Sequence, residues 1–197
     1  MKDVHLNRHY DAVVVVGTGF RSHEDDSLDI WGKNRLAKAV LAFDNRSAYY
    51  IILTGLLKHD SGVTFIDKTR EVTKTLSIDQ KLVLSVQAES NFTIDSEGDI
   101  DQAIFVARQY GFRSLLFATE TPHWWRLKYL VHKRAPDLKV ALLKSMSAPW
   151  WYYTKEAVLV TLLRLGLNKI AYEKIRPLWK HFTAKNGSCL NIYVPKD

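Results

Sequence analysis

Short, unbroken apolar runs closed by glycine or polar turns recur along this chain, and amphipathic stretches fill the gaps between them. Ala12–Val16 is the first run, ended at once by Gly17-Thr18-Gly19. Apolar residues without polar alternation mark a strand covered on both faces. Tyr49–Leu53, stopped by Thr54-Gly55, repeats the pattern, and Lys81–Val86, Ser114–Ala118 and Lys139–Leu143 extend it to five strands. Between them, Lys33–Phe43 carries Leu36, Ala37, Val40 and Leu41 at helical spacing, and Asp67–Leu76 reads as a short helix. Glu97–Tyr110 presents Ile100, Ala103, Ile104 and Ala107, with Gly111 as its natural C-cap. In Thr121–Lys133, Thr121 suits the cap and Pro122 the first helical position, while Trp124, Leu127 and Val131 form a core stripe. Trp151–Leu165 is a last long helix. Strands alternating with helices give βαβ units, hence an α/β fold with a mostly parallel five-stranded sheet and helices on both faces. Residues 1–167 form this domain, and 168–197 read as a helical and strand-like appendage packed on it.

Composition narrows the function classes. The 197 residues are 47% hydrophobic and 25% charged, which excludes a disordered chain. A single cysteine, Cys189, argues against a disulfide-stapled secreted fold and suits a reducing, cytoplasmic compartment. Residues 1–11 are polar and offer no signal-peptide core. The longest apolar stretch, Ala157–Leu163 continuing to Leu167, is broken by Thr161, Arg164 and Gly166, short of the roughly 20 apolar residues that a membrane span needs. The formal charge of +7 favours anionic partners: phosphorylated metabolites, nucleic acid or an acidic membrane surface. Much of it lies in Lys128–Lys144 and Arg164–Lys185, which read first as solvated helix faces. Trp150-Trp151-Tyr152-Tyr153 could stack on single-stranded nucleic acid, but it opens an apolar helix, where packing is the simpler role.

Open parallel sheets gather ligands beyond the carboxyl ends of their strands. Four loops meet that criterion: Gly17–Trp31, Thr54–Phe65, Gln87–Ser96 and Thr119–His123. In the first, Gly17, Thr18 and Gly19 form a turn whose backbone amides could approach an anion. The dinucleotide fingerprint is absent, because Ser22 stands in place of the third glycine and no helix follows directly. His23-Glu24-Asp25-Asp26 are metal-ligand types, but consecutive residues rarely converge on one ion, and no obligatory transition metal is expected. The third loop collects Glu89, Ser90, Asn91, Thr93, Asp95 and Ser96 ahead of a helix, more polar groups than capping requires. In the fourth, His123 and Arg126 lie three apart on the first turn of a helix. A helix N-terminus disfavours imidazolium, so His123 is expected neutral at pH 7, able to accept a proton or to donate a hydrogen bond. Arg126 supplies a fixed cation.

The order of these motifs carries a resemblance. Asp11 to Gly19, Arg35, Thr54-Gly55, Glu71, Glu89-Ser90-Asn91-Phe92-Thr93, Thr119-Glu120-Thr121-Pro122-His123-Trp124-Trp125-Arg126 and Glu156 follow the sequence of motifs in the YdcF/SanA/ElyC-like family, which this chain resembles over about residues 10–165. The resemblance implies a Rossmann-like three-layer α/β/α sandwich with its motifs at the strand ends. Some members of that family are tied to bacterial envelope integrity, and one is reported to bind S-adenosylmethionine. Departures occur at Phe92, where members usually carry Asn, at Asp95-Ser96 in place of Glu-Asn, and at Glu120 in place of Ser.

Together these readings describe an enzyme, a hydrolase or group transferase, acting on a small anionic, phosphate-bearing or nucleotide-like metabolite. His123 is the expected general acid or base, with Glu89 orienting it or polarising a water. Gly17, Thr18, Gly19, Arg35, Thr54, Gly55, Thr119 and Arg126 are the expected anion-binding set, with Ser90 and Thr93 donating hydrogen bonds. Two alternatives stand beside it: a non-catalytic module for a nucleotide or S-adenosylmethionine, and a protein that binds nucleic acid or a membrane surface.

Overall fold

The computed structural model describes residues 9–86, 92 and 95–167. Five strands, β1 (Tyr10–Val15), β2 (Ala48–Leu53), β3 (Val83–Ser85), β4 (Ser114–Thr119) and β5 (Lys139–Lys144), form one sheet in the order β3-β2-β1-β4-β5. Every pairing is parallel, with Val14 beside Ile52 on one side and Phe117 on the other. Helices α1 (Ile30–Asp44), α2 (Phe65–Thr75), α3 (Ser96–Tyr110), α4 (Thr121–Arg134) and α5 (Trp150–Arg164) flank it, a Rossmann-like three-layer arrangement. The expected appendage, residues 168–197, lies outside the described residues.

The central strands are buried because they are apolar on both faces: Ala12 to Val16, Ile51 to Leu53 and Leu115 to Ala118 are enclosed. β5, at the edge, is half-buried and has Lys139 and Lys144 at its two ends, charges that discourage pairing with another chain. α3 ends as expected at Gly111, whose φ of +70° is a conformation glycine adopts freely. Among the boundaries that differ from the sequence reading, two have a plain local reason. α1 starts three residues earlier than Lys33, because the Asp29 carboxylate accepts from Gly32 N at 2.6 Å and caps the helix there. β3 begins at Val83 because Gln80–Leu82 forms a 3-10 turn, with the Asp79 side chain accepting from Lys81 N. Among the described residues, no helix is long and apolar enough to cross a membrane.

Strand order fixes where a site belongs. The chain steps outward from β1 to β2 to β3, then returns to lay β4 on the opposite side of β1. The crossovers diverge at β1 and β4, and the region beyond their carboxyl ends is where sheets of this order form their crevice.

Candidate functional site

Arg35, on the inward face of α1 beside Leu36 and Ala39, reaches across that crevice. Its Nη1 donates to the carbonyls of Val16 (3.0 Å) and Gly17 (2.9 Å), just past β1. Its Nε donates to Glu120 Oε1 at 3.0 Å, and Nη2 forms a short ion pair with Glu120 Oε2, just past β4. Nη2 also lies 3.2 Å from His123 Nδ1. A guanidinium has five N–H donors, and these contacts engage all of them inside the protein. Burial alone would push the Arg35 guanidinium down, but the Glu120 carboxylate more than reverses this and the cation is held. For Glu120, burial acts upward, yet the charge and hydrogen bonds of Arg35, with a 2.7 Å bond from Ser145 Oγ, bring its carboxyl below the usual range.

Glu120 also explains the head of α4. Thr121 was the expected cap, but it is the first helical residue, and Glu120 occupies the N-cap position without a capping bond from its side chain. Its carboxylate is turned to Arg35 and Ser145 instead. The first turn of α4 thus meets the crevice with no side-chain cap at the N-cap position, although Trp124 N still closes onto Glu120 O at 2.9 Å.

His123, on that turn, is only 4% exposed. Nδ1 lies 3.0 Å from Thr119 Oγ1 and Nε2 lies 3.1 Å from Ser96 Oγ, at the head of α3. Arg35 can only donate, so its contact makes Nδ1 an acceptor and places the ring proton on Nε2, facing Ser96. This tautomer decides between two mechanisms. A serine nucleophile needs Nε2 to accept its proton, with an acidic group behind Nδ1. Here a cation stands behind Nδ1, so His123 is set as a donor and Ser96 is not activated as a nucleophile.

The Gly17-Thr18-Gly19 turn is shaped largely by packing. A Cβ on Gly17 would stand 2.6 Å from the Cα of Gly55, so the turns after β1 and β2 touch backbone to backbone. Gly17 N donates to Thr54 Oγ1 at 3.3 Å, while the Thr54 hydroxyl donates to Val15 O. Thr18 Oγ1 donates to Asp29 Oδ1 at 2.8 Å, and Gly19 O accepts from Asp29 N. Burial raises Asp29 above the usual carboxylate range.

A second buried ion pair closes the other side. Arg126 Nη2 donates to Glu156 Oε1 of α5 at 3.0 Å, and Nε stands 2.9 Å from Oε2. Lys155 Nζ lies 3.3 Å from Glu156 Oε1. Tyr152, one turn earlier on α5, packs edge-on to Trp31 of α1, and its hydroxyl is pushed up by burial and by the fields of Glu156 and Glu120. Tyr153 meets Trp125 in the same way, whereas Trp150 stands 76% exposed. In the first loop, His23 faces Asp60 at 3.0 Å.

Hydrogen bonds therefore connect Gly17, Arg35, Thr54, Thr119 and His123 at the crevice, with Gly55 packed against Gly17. Thr18 and Gly19 are joined to Asp29 at its margin, and Arg126 is within the electrostatic reach of Asp99. Glu89, Ser90 and Thr93 lie outside the described residues. Sequence reasoning missed three participants: Glu120, Asp99 and Gln102. Asp99 is buried beside Gly17, where a Cβ would stand 3.2 Å from its Oδ1, and Gln102 Oε1 accepts from Gly55 N at 3.1 Å. The available signal was polar residues at positions 99 and 102, each directly beside a core residue of α3. Neither a protein-family model nor a curated protein matches the chain.

Proposed function

We propose that the protein is an enzyme, a hydrolase or group transferase, acting on a small anionic, phosphate-bearing or nucleotide-like metabolite in the crevice between β1 and β4. One observation carries this reading: a buried histidine whose two ring nitrogens are both engaged, set on a helix N-terminus at the point where strand order reverses. The first turn of α4, with its N-cap carboxylate drawn away, suits the anion, since a helix N-terminus favours negative charge. His123 Nε2–H would donate a hydrogen bond to the charge developing on the leaving group, with Ser96 fixing its direction. Arg35 acts as a positioning residue rather than an anion ligand, because its donors are committed to Val16, Gly17, Glu120 and His123. The ordered resemblance to the YdcF/SanA/ElyC-like family agrees with a strand-end site and names no reaction.

A thermal-shift screen of phosphorylated metabolites, nucleotides and S-adenosylmethionine, followed by a turnover assay on each hit, tests the reading. His123→Gln should lower turnover by roughly a hundred- to ten-thousandfold with little change in affinity. The commitment of all five Arg35 donors favours a second reading, a preorganised pocket that binds a nucleotide or S-adenosylmethionine without chemistry. Tight binding with no turnover in parent or variant would select it, and no hit at all would discard both.

A further inference from the structure

Four carboxyl groups lie buried or, for Asp29, half-buried around the crevice, and three have an evident structural task. Glu120 answers Arg35, Glu156 answers Arg126, and Asp29 caps α1 and accepts from Thr18. Asp99 is the exception. It is 7% exposed, it forms no ion pair among the described residues, and the Thr54 side chain acts on it. Burying a carboxylate without a partner is costly, so such a group holds a proton, meets a ligand, or alternates between the two.

Its surroundings place it in the site. Asp99 follows Ser96 by three residues on α3, so the two share the helix face that Ser96 turns to His123. Its Oδ1 lies against Gly17, where the lack of a side chain leaves room for it. One turn further on, Gln102 is fully buried with Oε1 fixed by Gly55 N, and its Nε2 has no hydrogen-bond partner among the described residues. Thus the face of α3 that carries Asp99 also carries, one turn on, a buried amide donor with no partner among the described residues.

We propose that Asp99 is a proton-exchanging carboxyl of this site, buried with no ion pair among the described residues so that it can trade a proton with a hydroxyl or amine of the bound molecule. The inference rests on the crevice being the functional site, and it complements the hydrogen-bond donor His123 with a group that can exchange a proton; the sequence reading gave Glu89 a different task, orienting His123 or polarising a water. The charged groups that act on Asp99 are Arg35 of α1, Arg126 of α4 and Asp95 at the head of α3. Burial is the largest influence and raises the carboxyl; the two arginines oppose it, Asp95 adds to it, and the group is raised to about 7. A carboxyl so placed exchanges its proton near neutral pH, which suits acid–base chemistry.

The sign of the linkage gives a test that needs no substrate. A carboxyl raised in the folded state makes the protein lose stability as pH rises from about 4 to about 7, with the full loss retained above that. Asp99→Asn removes the charge, so its Tm should exceed the parent's at pH 8 by roughly 5 °C or more, with the gain shrinking as pH falls toward 4. A lower Tm at pH 8 would make the carboxylate structural and overturn the proposal. Carbon-13 NMR of the parent, with the Asp99 carboxyl assigned through its own Hβ protons, should show a midpoint near 7. A midpoint in the ordinary carboxylate range, about 4, would equally overturn it. Sulfate, whose charge is constant between pH 5.5 and 8.5, is the ligand probe. The parent should bind it more weakly at the higher pH, and Asp99→Asn should lose that dependence; the same dependence in both would count against Asp99. No sulfate binding in either would sink the anionic-metabolite reading and leave the stability and NMR results to decide on Asp99.

Discussion

Two buried arginine–glutamate pairs flank the same crevice, and they are built differently. Arg35 and Glu120 come from α1 and the residue just past β4, meet side-on through Nε and Nη2, and recruit Val16, Gly17, Ser145 and His123 into one network. Arg126 and Glu156 join α4 to α5, with Lys155 as a second cation on the same carboxylate. The first pair organises the place where strand order reverses, whereas the second fastens neighbouring helices. A buried ion pair adds little net stability over apolar packing, so the value of each pair lies in what it positions.

The largest expected effect follows from breaking the first pair. Arg35→Met strands Glu120 in the interior and releases two carbonyls and His123, so chemical denaturation should report a loss of about 3–5 kcal/mol. Arg126→Met leaves Glu156 beside Lys155, and the same measurement should report a smaller loss, about 1–3 kcal/mol. Equal losses would erase the distinction between an organising pair and a fastening pair.

Acid sharpens the comparison further. Glu120 is held below its ordinary value, so its contribution is present above the unfolded carboxyl's pKa and disappears as pH falls through the lowered folded value. Urea midpoints of the parent should therefore drop on the acid side, and Glu120→Gln should flatten that drop; an unchanged acid limb would show that the pair does not set it. The smallest effect belongs to His123→Gln. Arg35 keeps its four other contacts, so stability should change by less than about 1 kcal/mol while any turnover collapses. A large destabilisation would make His123 a structural member of the pair.

The fold was legible because strand burial writes itself as short apolar runs, on both faces for the central strands, and all five runs became strands. Their ends were less legible. Asp29 and Asp79 draw neighbouring amides into caps, a competition between side chain and backbone that apolar periodicity does not record. His123 stood out because a strand end followed at once by a helix allows few positions at the crevice. Glu120 did not, since its partner Arg35 is 85 positions away and only the fold brings them together. Asp99 was hidden for the opposite reason: an acid in the first turn of a helix is ordinary, and nothing local distinguishes one that faces inward.

The central place of β1 has a consequence for how the molecule is made. β1 pairs with β4, and the Asp11 carboxylate at its start accepts from the amides of Arg113 and Ser114, 102 and 103 positions away. While a ribosome is still translating the first half, β1 can zip to β2, but its other side is an open edge of valines with no mate. That edge is an invitation to self-association at the stage when nascent chains are most crowded. Only the emergence of β4 closes it, so a stall between β3 and β4 should leave a sticky half-sheet that needs a chaperone's cover.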